Sequence, residues 1–440
     1  MKARSPRSPL RRRLALLAVV FVLGVSTACS ATSDGGSVSV LASWTDAEGE
    51  AFHQVLQAFE DETHITVDYQ GTRALDQVLA ADLQRGTAPD IAVLPSPGSL
   101  AGYVRRHELQ PLGFLERQAE DFYGKQWVSL QRVGEQQLYS VAVKADLKSE
   151  IWYHPPALPG AKPTTWPQLL NLAEHQSANG GTPWCLGLAA PPVSGWPGTD
   201  WIEDILLHSA GPAAYRQWAA GTLPWTSPQV RQAWLDWGAL VVHPGGIDGG
   251  APAALLTDFG DAGRPLFTDP PGCLMEHEGS FVMSSYQAMR TGTGQAPRPG
   301  TDYDFFRFPG PPVSVVSADL AGMFHDTPQS RRLMEFLVTP EAQRIWPGIA
   351  SASAFSASAK VGQSVYGDPV KRKVAEALTG QSQVCFDASD LMPAAMTGAF
   401  YRAVLEYVND PGQLDTLLSR LEDTRRAVPR SEWLDVPCGQ

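Results

Sequence analysis

Three strand-like runs separated by two helical ones follow the first 36 residues, and this alternation limits the fold more than any other feature. Ser37-Val-Ser-Val-Leu41 reads as a strand. Phe52, Val55, Leu56 and Phe59 fall at i, i+3, i+4 and i+7, one face of a helix. Ile65, Val67 and Tyr69 alternate as a strand does. Leu75, Val78, Leu79 and Leu83 mark a second helix. Asp90-Ile-Ala-Val-Leu-Pro95 is an apolar run of the kind a buried parallel strand shows. A β-α-β-α-β order predicts a doubly wound α/β lobe. Such lobes bind ligands at the carboxyl ends of their strands, here Ser43-Trp44, Gln70 to Arg73 and Pro95 to Gly98.

The 440 residues suffice for two or three domains. A strand-like stretch from Leu138 to Val143 and another from Ile151 to His154 precede a Pro-rich segment holding Pro155, Pro156, Pro159 and Pro163. The reading is a first crossing between lobes at 141–152. A second lobe then begins at Trp166, where Pro167 suits a helix's first turn. Helical patterns continue at 201–209 and 228–242. Asp304-Phe-Phe-Arg-Phe-Pro309 is read as a second crossing and the Gly- and Ser-containing stretch 348–358 as a third. Two helical patterns close the chain, one through Phe400, Val404 and Tyr407, the other through Leu414, Leu417, Leu418 and Leu421.

The front of the chain reads as an address. Lys2, Arg4, Arg7 and Arg11 to Arg13 precede an apolar run from Leu14 to Val25, then Ser26-Thr27-Ala28-Cys29. That is the signal-peptide pattern, and the run is short for a membrane span. Small residues directly before a Cys resemble a bacterial lipobox, with Ser26 departing from the usual aliphatic residue. The resemblance implies a signal peptide over 1–28, a diacylated, N-acylated (palmitate-bearing) Cys29 anchoring the mature chain to the cell membrane, and a tether over 29–37. Cleavage there removes six basic and no acidic residues, taking the formal net charge from −12 to −18. With 46 Asp and Glu against 34 Lys and Arg, nucleic acid is excluded as a partner held by phosphate neutralisation. Setting Cys29 apart leaves Cys185, Cys273, Cys385 and Cys438. In an oxidising compartment these suggest two disulfides, with three possible connectivities. Cys185–Cys273 with Cys385–Cys438 is the favoured one. None has the C-x-x-C spacing of a zinc or redox site, and no metal or cofactor is expected.

Four segments carry a family resemblance. They are Gly86-Thr-Ala-Pro-Asp-Ile-Ala-Val-Leu-Pro-Ser-Pro-Gly98; Pro183-Trp-Cys-Leu-Gly-Leu-Ala189 with Gly195-Trp-Pro-Gly-Thr-Asp-Trp-Ile-Glu-Asp204; Thr339-Pro-Glu-Ala-Gln343; and Phe386-Asp-Ala-Ser-Asp-Leu-Met-Pro393. Their order resembles the family 1 extracellular solute-binding proteins of carbohydrate ABC importers, in the α-glucoside or oligosaccharide branch. The resemblance implies the type II periplasmic-binding-protein-like fold. Two α/β lobes flank a cleft, with residues 38–143 and 312–348 in one lobe and 152–308 and 355–440 in the other. It also implies a monomer that delivers sugar to ABC permease subunits and carries out no catalysis.

A sugar presents hydroxyls at its rim and an apolar C–H face. A binder needs flat aromatics for the face and fixed polar groups for the rim. The stacking candidates are Trp44, Trp196, Trp201 and Phe281. The hydrogen-bonding candidates are Asp90, Asp200, Ser280, Asp319, Asp387 and Asp390. After the third crossing the family pattern resembles Gly-Gly-x-Leu-Ser-Pro-Asn, whereas here Ala350-Ser-Ala-Ser-Ala-Phe355 stands, so Phe355 is the aromatic that can substitute. Glu276-His277-Glu278 is expected to be a solvated strand edge. Trp218, Trp234 and Trp237 lie at helical spacing and are expected to pack.

Two rival functions come from other chemistry. A secreted glycosidase needs two carboxylates flanking a scissile bond, for which Glu203/Asp204 and Asp387/Asp390 are the available groups. A binder for glycerol phosphate needs several Arg, of which only Arg73 is well placed. A polyamine binder needs acidic and aromatic walls.

Overall fold

The computed structural model describes residues 35–380, 382–436 and 438. The charged leader, its apolar run, Cys29 and the tether as far as residue 34 lie outside the described residues. Strand β1 is Ser37–Ala42, β2 Thr66–Gly71 and β3 Ile91–Leu94. They pair in parallel in the order β2-β1-β3. Helices α1 (Asp46–Thr63) and α2 (Leu75–Arg85) connect them, and α3 (Pro97–Arg105) follows β3. The apolar stripe read from the sequence is what α1 buries: Phe52, Val55, Leu56 and Phe59 are all inside. His64 takes a left-handed conformation and ends α1. Ser96 caps α3 by accepting from the Ser99 amide, with Pro97 at the position where a missing N–H costs nothing.

Strand β4 is Ser140–Leu147 and β5 is Glu150–Tyr153, with Lys148 and Ser149 between them. Strands β6 (Trp184–Cys185), β7 (Met275–His277) and β8 (Asp304–Arg307) complete a second, four-stranded sheet in the order β6-β7-β5-β8. Strand β9, Val313–Met323, returns to the first sheet, and all eleven of its residues are buried. Along one side β9 pairs with β4. Along the other it pairs with β3 in its second half and with β10 (Gln383–Phe386) in its first. A strand enclosed in this way reads as a mostly apolar run, and Val313 to Met323 does so apart from Ser314, Ser317 and Asp319.

Three passages therefore abut β9 between the two sheets. They are Lys148-Ser149, the turn from β8 into β9, and the exit of β10. The amides of Lys148 and Asp387 donate to the carbonyls of Val315 and Val316 at 2.9 and 2.8 Å. This differs from the sequence reading in one respect. The stretch 348–358 does not cross. The Ala145 amide donates to the Phe355 carbonyl at 2.8 Å, and Ser358 bridges Tyr123. That segment stays against the first sheet, and the chain crosses after β10. Strand β10 itself, assigned by the sequence division to the second lobe, is hydrogen-bonded into the first sheet. The local cue was a Gly- and Ser-containing stretch, but a crossing is fixed by which strand it feeds.

The second lobe is helical around its small sheet. Helix Trp196–Ala219 bends at Gly211, where φ is 83°, and it packs against helix Pro228–Trp237 and helix Ala394–Asn409. Trp218, Trp225, Trp234, Trp237, Phe400 and Tyr407 interlock there with ring centroids mostly 5–6 Å apart. Each of the four indoles is fully enclosed, so these tryptophans are core. Both disulfides form in the favoured pairing. Cys185–Cys273 joins the start of the small sheet to the residue two before β7, with a Cα separation of 5.4 Å. Cys385–Cys438 pins the chain's end to β10, with a Cα separation of 4.2 Å. Each such link is worth about 2–4 kcal/mol.

Candidate functional site

The junction of the lobes is built around two buried lysines four residues apart, Lys144 on β4 and Lys148 directly after it. Lys148 Nζ lies 2.8 Å from Asp200 Oδ2 and 3.4 Å from Asp387 Oδ2. It also sits over two aromatic rings, 4.9 Å from the Trp196 centroid and 5.4 Å from that of Phe281. Trp196, Phe259 and Phe281 form a trio with centroids 4.8, 5.6 and 6.0 Å apart, each ring partly exposed. The trio therefore offers accessible aromatic surface beside a fixed ammonium and carboxylates. A cation over a π-face in a desolvated setting contributes about 2 kcal/mol.

Lys144 organises a second charged cluster, on the first-lobe side of the junction. Its Nζ lies 3.2 Å from Glu48 Oε1 and 3.4 Å from Asp146 Oδ2, and 5.8 Å from the Trp346 ring centroid. Trp44 stands T-shaped to Trp346 at 4.6 Å and against Phe52 at 4.7 Å. Ser280 links the two groups. Its hydroxyl donates to Asp146 Oδ1 at 2.9 Å and accepts from the Leu147 amide at 3.1 Å.

The electrostatics follow from counting partners. Burial alone would lower the Lys148 pKa, but Asp200, Asp387 and Asp390 outweigh it and hold the ammonium well above the usual lysine range. Lys144 is raised in the same way: burial opposes, and Asp146, Glu48 and Asp319 win. One ammonium cannot keep three buried carboxylates ionised. Burial pushes Asp200 up to about 7, with Lys148 pulling against it. Burial likewise lifts Asp319 to about 7, with Lys144 pulling down and Asp146 and Glu48 pushing up. Asp390 is raised well above the carboxylate range by burial and by Asp387.

Of the residues singled out in the sequence, Trp196, Asp200, Phe281, Asp387 and Asp390 gather around Lys148, Trp44 and Asp319 around Lys144, and Ser280 between them. Trp44 is only 2% exposed, wedged between Phe52 and Trp346. The side chains of three others lie elsewhere, although the Phe355 carbonyl accepts from the Ala145 amide, between Lys144 and Asp146. Asp90 stands before β3, at the opposite strand end from Trp44. It accepts from the Ser39 amide at 2.8 Å and the Ser39 hydroxyl at 2.9 Å. Trp201 is fully enclosed, 4.8 Å from Trp184 and 4.5 Å from His277. Five residues along one helix rotate a side chain by about 140°, so Trp196 meets the junction and Trp201 the core. Phe355 is 1% exposed and stacks on Tyr366 at 5.6 Å.

Glu276-His277-Glu278 is not a solvated edge. All three are buried. Tyr286 donates to Glu276 Oε2 at 2.5 Å, and His277 Nε2 lies 2.7 Å from Asp204 Oδ2. The strand is interior because β5 and β6 flank it. Glu203 accepts from the Ala388 amide at 2.7 Å, the Ser389 amide at 3.0 Å and the Tyr215 hydroxyl at 3.0 Å. Asp204 holds Ser149, His277 and the His208 ring. A surface cavity of about 580 Å³, lined by Ser39, His53, Val67, Asp82 and Pro89 among others, lies along the β1–β2 side of the first lobe, away from these groups.

The model of the family described as bacterial extracellular solute-binding protein matches residues 42–344. The chain belongs to this family. It is 33% identical over 409 residues to the osmoprotective compounds-binding protein GgtB of Synechocystis sp., covering 89% of this chain and 94% of that protein. It is 32% identical over 400 residues to the alpha-glucosides-binding periplasmic protein AglE of Rhizobium meliloti, covering 87% and 85%. Among solved structures, a chitin oligosaccharide binding protein superposes with a TM-score of 0.73 at 18% identity, covering 90% of this chain and 99% of that one. The two-lobed fold is thus that of solute-binding proteins.

In this solute-binding protein the sequence reading missed Lys144, Lys148, Glu48, Phe259, Trp346 and Tyr401. Tyr401 sits beside Asp390 and Asp387. A signal was present for the lysines: Lys144, Asp146, Lys148 and Glu150 put charges of alternating sign at every second position of a strand-like run.

Proposed function

We propose that this protein is the substrate-binding component of an ABC importer that captures a sugar, an α-glucoside or oligosaccharide, outside the cell. The observation that carries this reading is the partly exposed trio Trp196, Phe259 and Phe281 beside Lys148, Asp200 and Asp387. Aromatic surface serves a sugar's C–H face, and fixed charged groups serve its hydroxyls. Lys144, Glu48 and Asp319 supply polar groups from the first-lobe side of the junction. The sugar bridges the two sides, draws the lobes together and stabilises the closed form that the permease receives. Cys29 carries the lipid that keeps the protein, acting as a monomer, at the membrane. The names of the relatives, one binding alpha-glucosides and one osmoprotective compounds, support a small polar solute.

Isothermal calorimetry with maltose, trehalose, sucrose and longer α-glucosides tests the reading. Heat with one of them, lost in Trp196→Ala, is the expected result. No heat with any sugar, and no compaction in solution scattering, overturns it. Putrescine and glycerol phosphate in a parallel thermal-shift plate separate the other ligand classes. Both lysines are already engaged by carboxylates, which argues against a phosphate.

A further inference from the structure

The last residues of the chain run across both lobes. After helix Leu414–Ala427, the turn Arg430–Glu432 packs against α3 of the first lobe, with Glu432 facing Arg105. Arg430 meanwhile reaches back to the Ala220 carbonyl of the second lobe. Trp433 lies flat on Gly221 of the second lobe; a Cβ on that glycine would come within 2.3 Å of the indole. Its neighbour Leu434 points the other way, onto Gly134 of the first lobe, where a Cβ would meet its methyl at 2.9 Å. Both side chains are buried, at 7% and 4% exposure. Asp435 returns to the second lobe, taking Arg216 in a two-point pair at 2.6 and 3.0 Å. Cys438 is bonded to Cys385 on β10, beside the crossing.

We infer that residues 430–436, with Cys438, form a strap that restrains opening of the lobes. This rests on the reading of the molecule as a two-lobed binder that opens and closes. The strap's contacts fall into two sets. Those to the second lobe are a half-exposed ion pair, a packed indole and the Arg430 contact with the Ala220 carbonyl. Those to the first lobe are the Cys438–Cys385 disulfide to β10, which pairs in the first sheet, and van der Waals contacts of Leu434 with Gly134 and of the turn with α3. The segment is thus tied to the second lobe through helix Leu414–Ala427 and to the first through a covalent bond, and when the lobes separate its non-covalent contacts must slip. Opening therefore exposes Leu434 and the α3 surface beneath the turn. That cost is absent from a chain ending at residue 429, so the strap biases the unliganded protein toward the lobe arrangement in which these contacts are made.

The test uses the full mature chain without ligand. Leu434→Ala weakens the slipping contact. The double variant Cys385→Ser, Cys438→Ser releases the anchor. Both variants are compared with the native chain by small-angle scattering and by hydrogen exchange. The expected result is a larger ligand-free radius of gyration and amide exchange about tenfold faster in α3 and around Gly134, with helix Ala394–Asn409 unchanged as the sign of an intact second lobe. A tenfold change is about 1.4 kcal/mol. If L434A loses its fold, the double serine variant gives the answer alone. A radius and an exchange pattern equal to those of the native chain in a folded variant overturn the strap. Because no sugar enters the measurement, its failure is distinct from a failure of the sugar reading, which shows as absent heat in calorimetry.

Discussion

Lys148 and Asp200 form an ion pair at 2.8 Å in which the two side chains are 8% and 3% exposed. Their charges come from strands and helices 52 residues apart. Removing one partner of a buried pair leaves the other uncompensated and costs about 3–5 kcal/mol. Lys148→Met strands both Asp200 and Asp387 and is expected to lose that much in chemical denaturation. Asp200→Asn keeps an acceptor at the same place and leaves Asp387 to the ammonium, so its loss is expected to be about 1–2 kcal/mol. Equal losses in the two variants contradict the partner count.

Gly98 sets how closely the lobes approach. Ser96 donates to the Asp390 carbonyl at 2.9 Å, and a Cβ on Gly98 would lie 2.3 Å from the Met392 carbonyl oxygen and 2.8 Å from that of Leu391. Gly98→Ala is expected to hold the first lobe away from 390–392. It should weaken sugar binding and enlarge the sugar-saturated radius of gyration in scattering. Native compaction in that variant rules the contact out as a closure determinant.

Asp319 makes stability depend on pH in a definite direction. Its folded pKa is raised to about 7 from 3.8, first by burial. The native state therefore binds a proton that the unfolded state has released, and stability falls as pH rises from the unfolded to the folded value. Between pH 6 and pH 8 this amounts to on the order of 1 kcal/mol. The melting temperature is expected to be higher at pH 6 than at pH 8, and Asp319→Asn to flatten that slope. An unchanged slope in Asp319→Asn assigns it to other groups.

Glu203 supports the chain after β10 and touches no accessible surface. With two amides and a tyrosine hydroxyl on its carboxylate, Glu203→Gln is expected to cost about 1–3 kcal/mol in thermal or chemical unfolding. No turnover of a nitrophenyl glucoside is expected from the native chain. Turnover that disappears in Glu203→Gln reverses the reading of this residue.

The start of the first lobe was legible because its signals are local. Periodicity over Ser37 to Pro95 depends only on which face of each element meets the core. The motif segments located Trp196, Asp200, Asp387 and Asp390 for a related reason: each lies in a short run read as a unit. Legibility stopped where the answer depends on distant partners. Lys144 and Lys148 are tolerable in a buried strand only because of Glu48, Asp200 and Asp387, which lie on other elements. The true third crossing could not be found at 348–358, because what defines it is the pairing of β10 with Val313 to Val316. Glu276-His277-Glu278 looks like surface until Asp204 and Tyr286 are placed around it. The terminal strap carried one sequence mark, Cys438, and that mark named the partner without revealing the path between.

Lys148 and Asp387 both directly follow strands that end on β9, at Val315 and Val316. They therefore sit at the fulcrum about which one lobe swings on the other. Groups at a fulcrum travel least. The ammonium and carboxylate nearest it keep their spacing in open and closed forms alike and are ready before the solute arrives. Under the proposed closure, a sugar that engages these two groups first meets a part of the site that does not have to move.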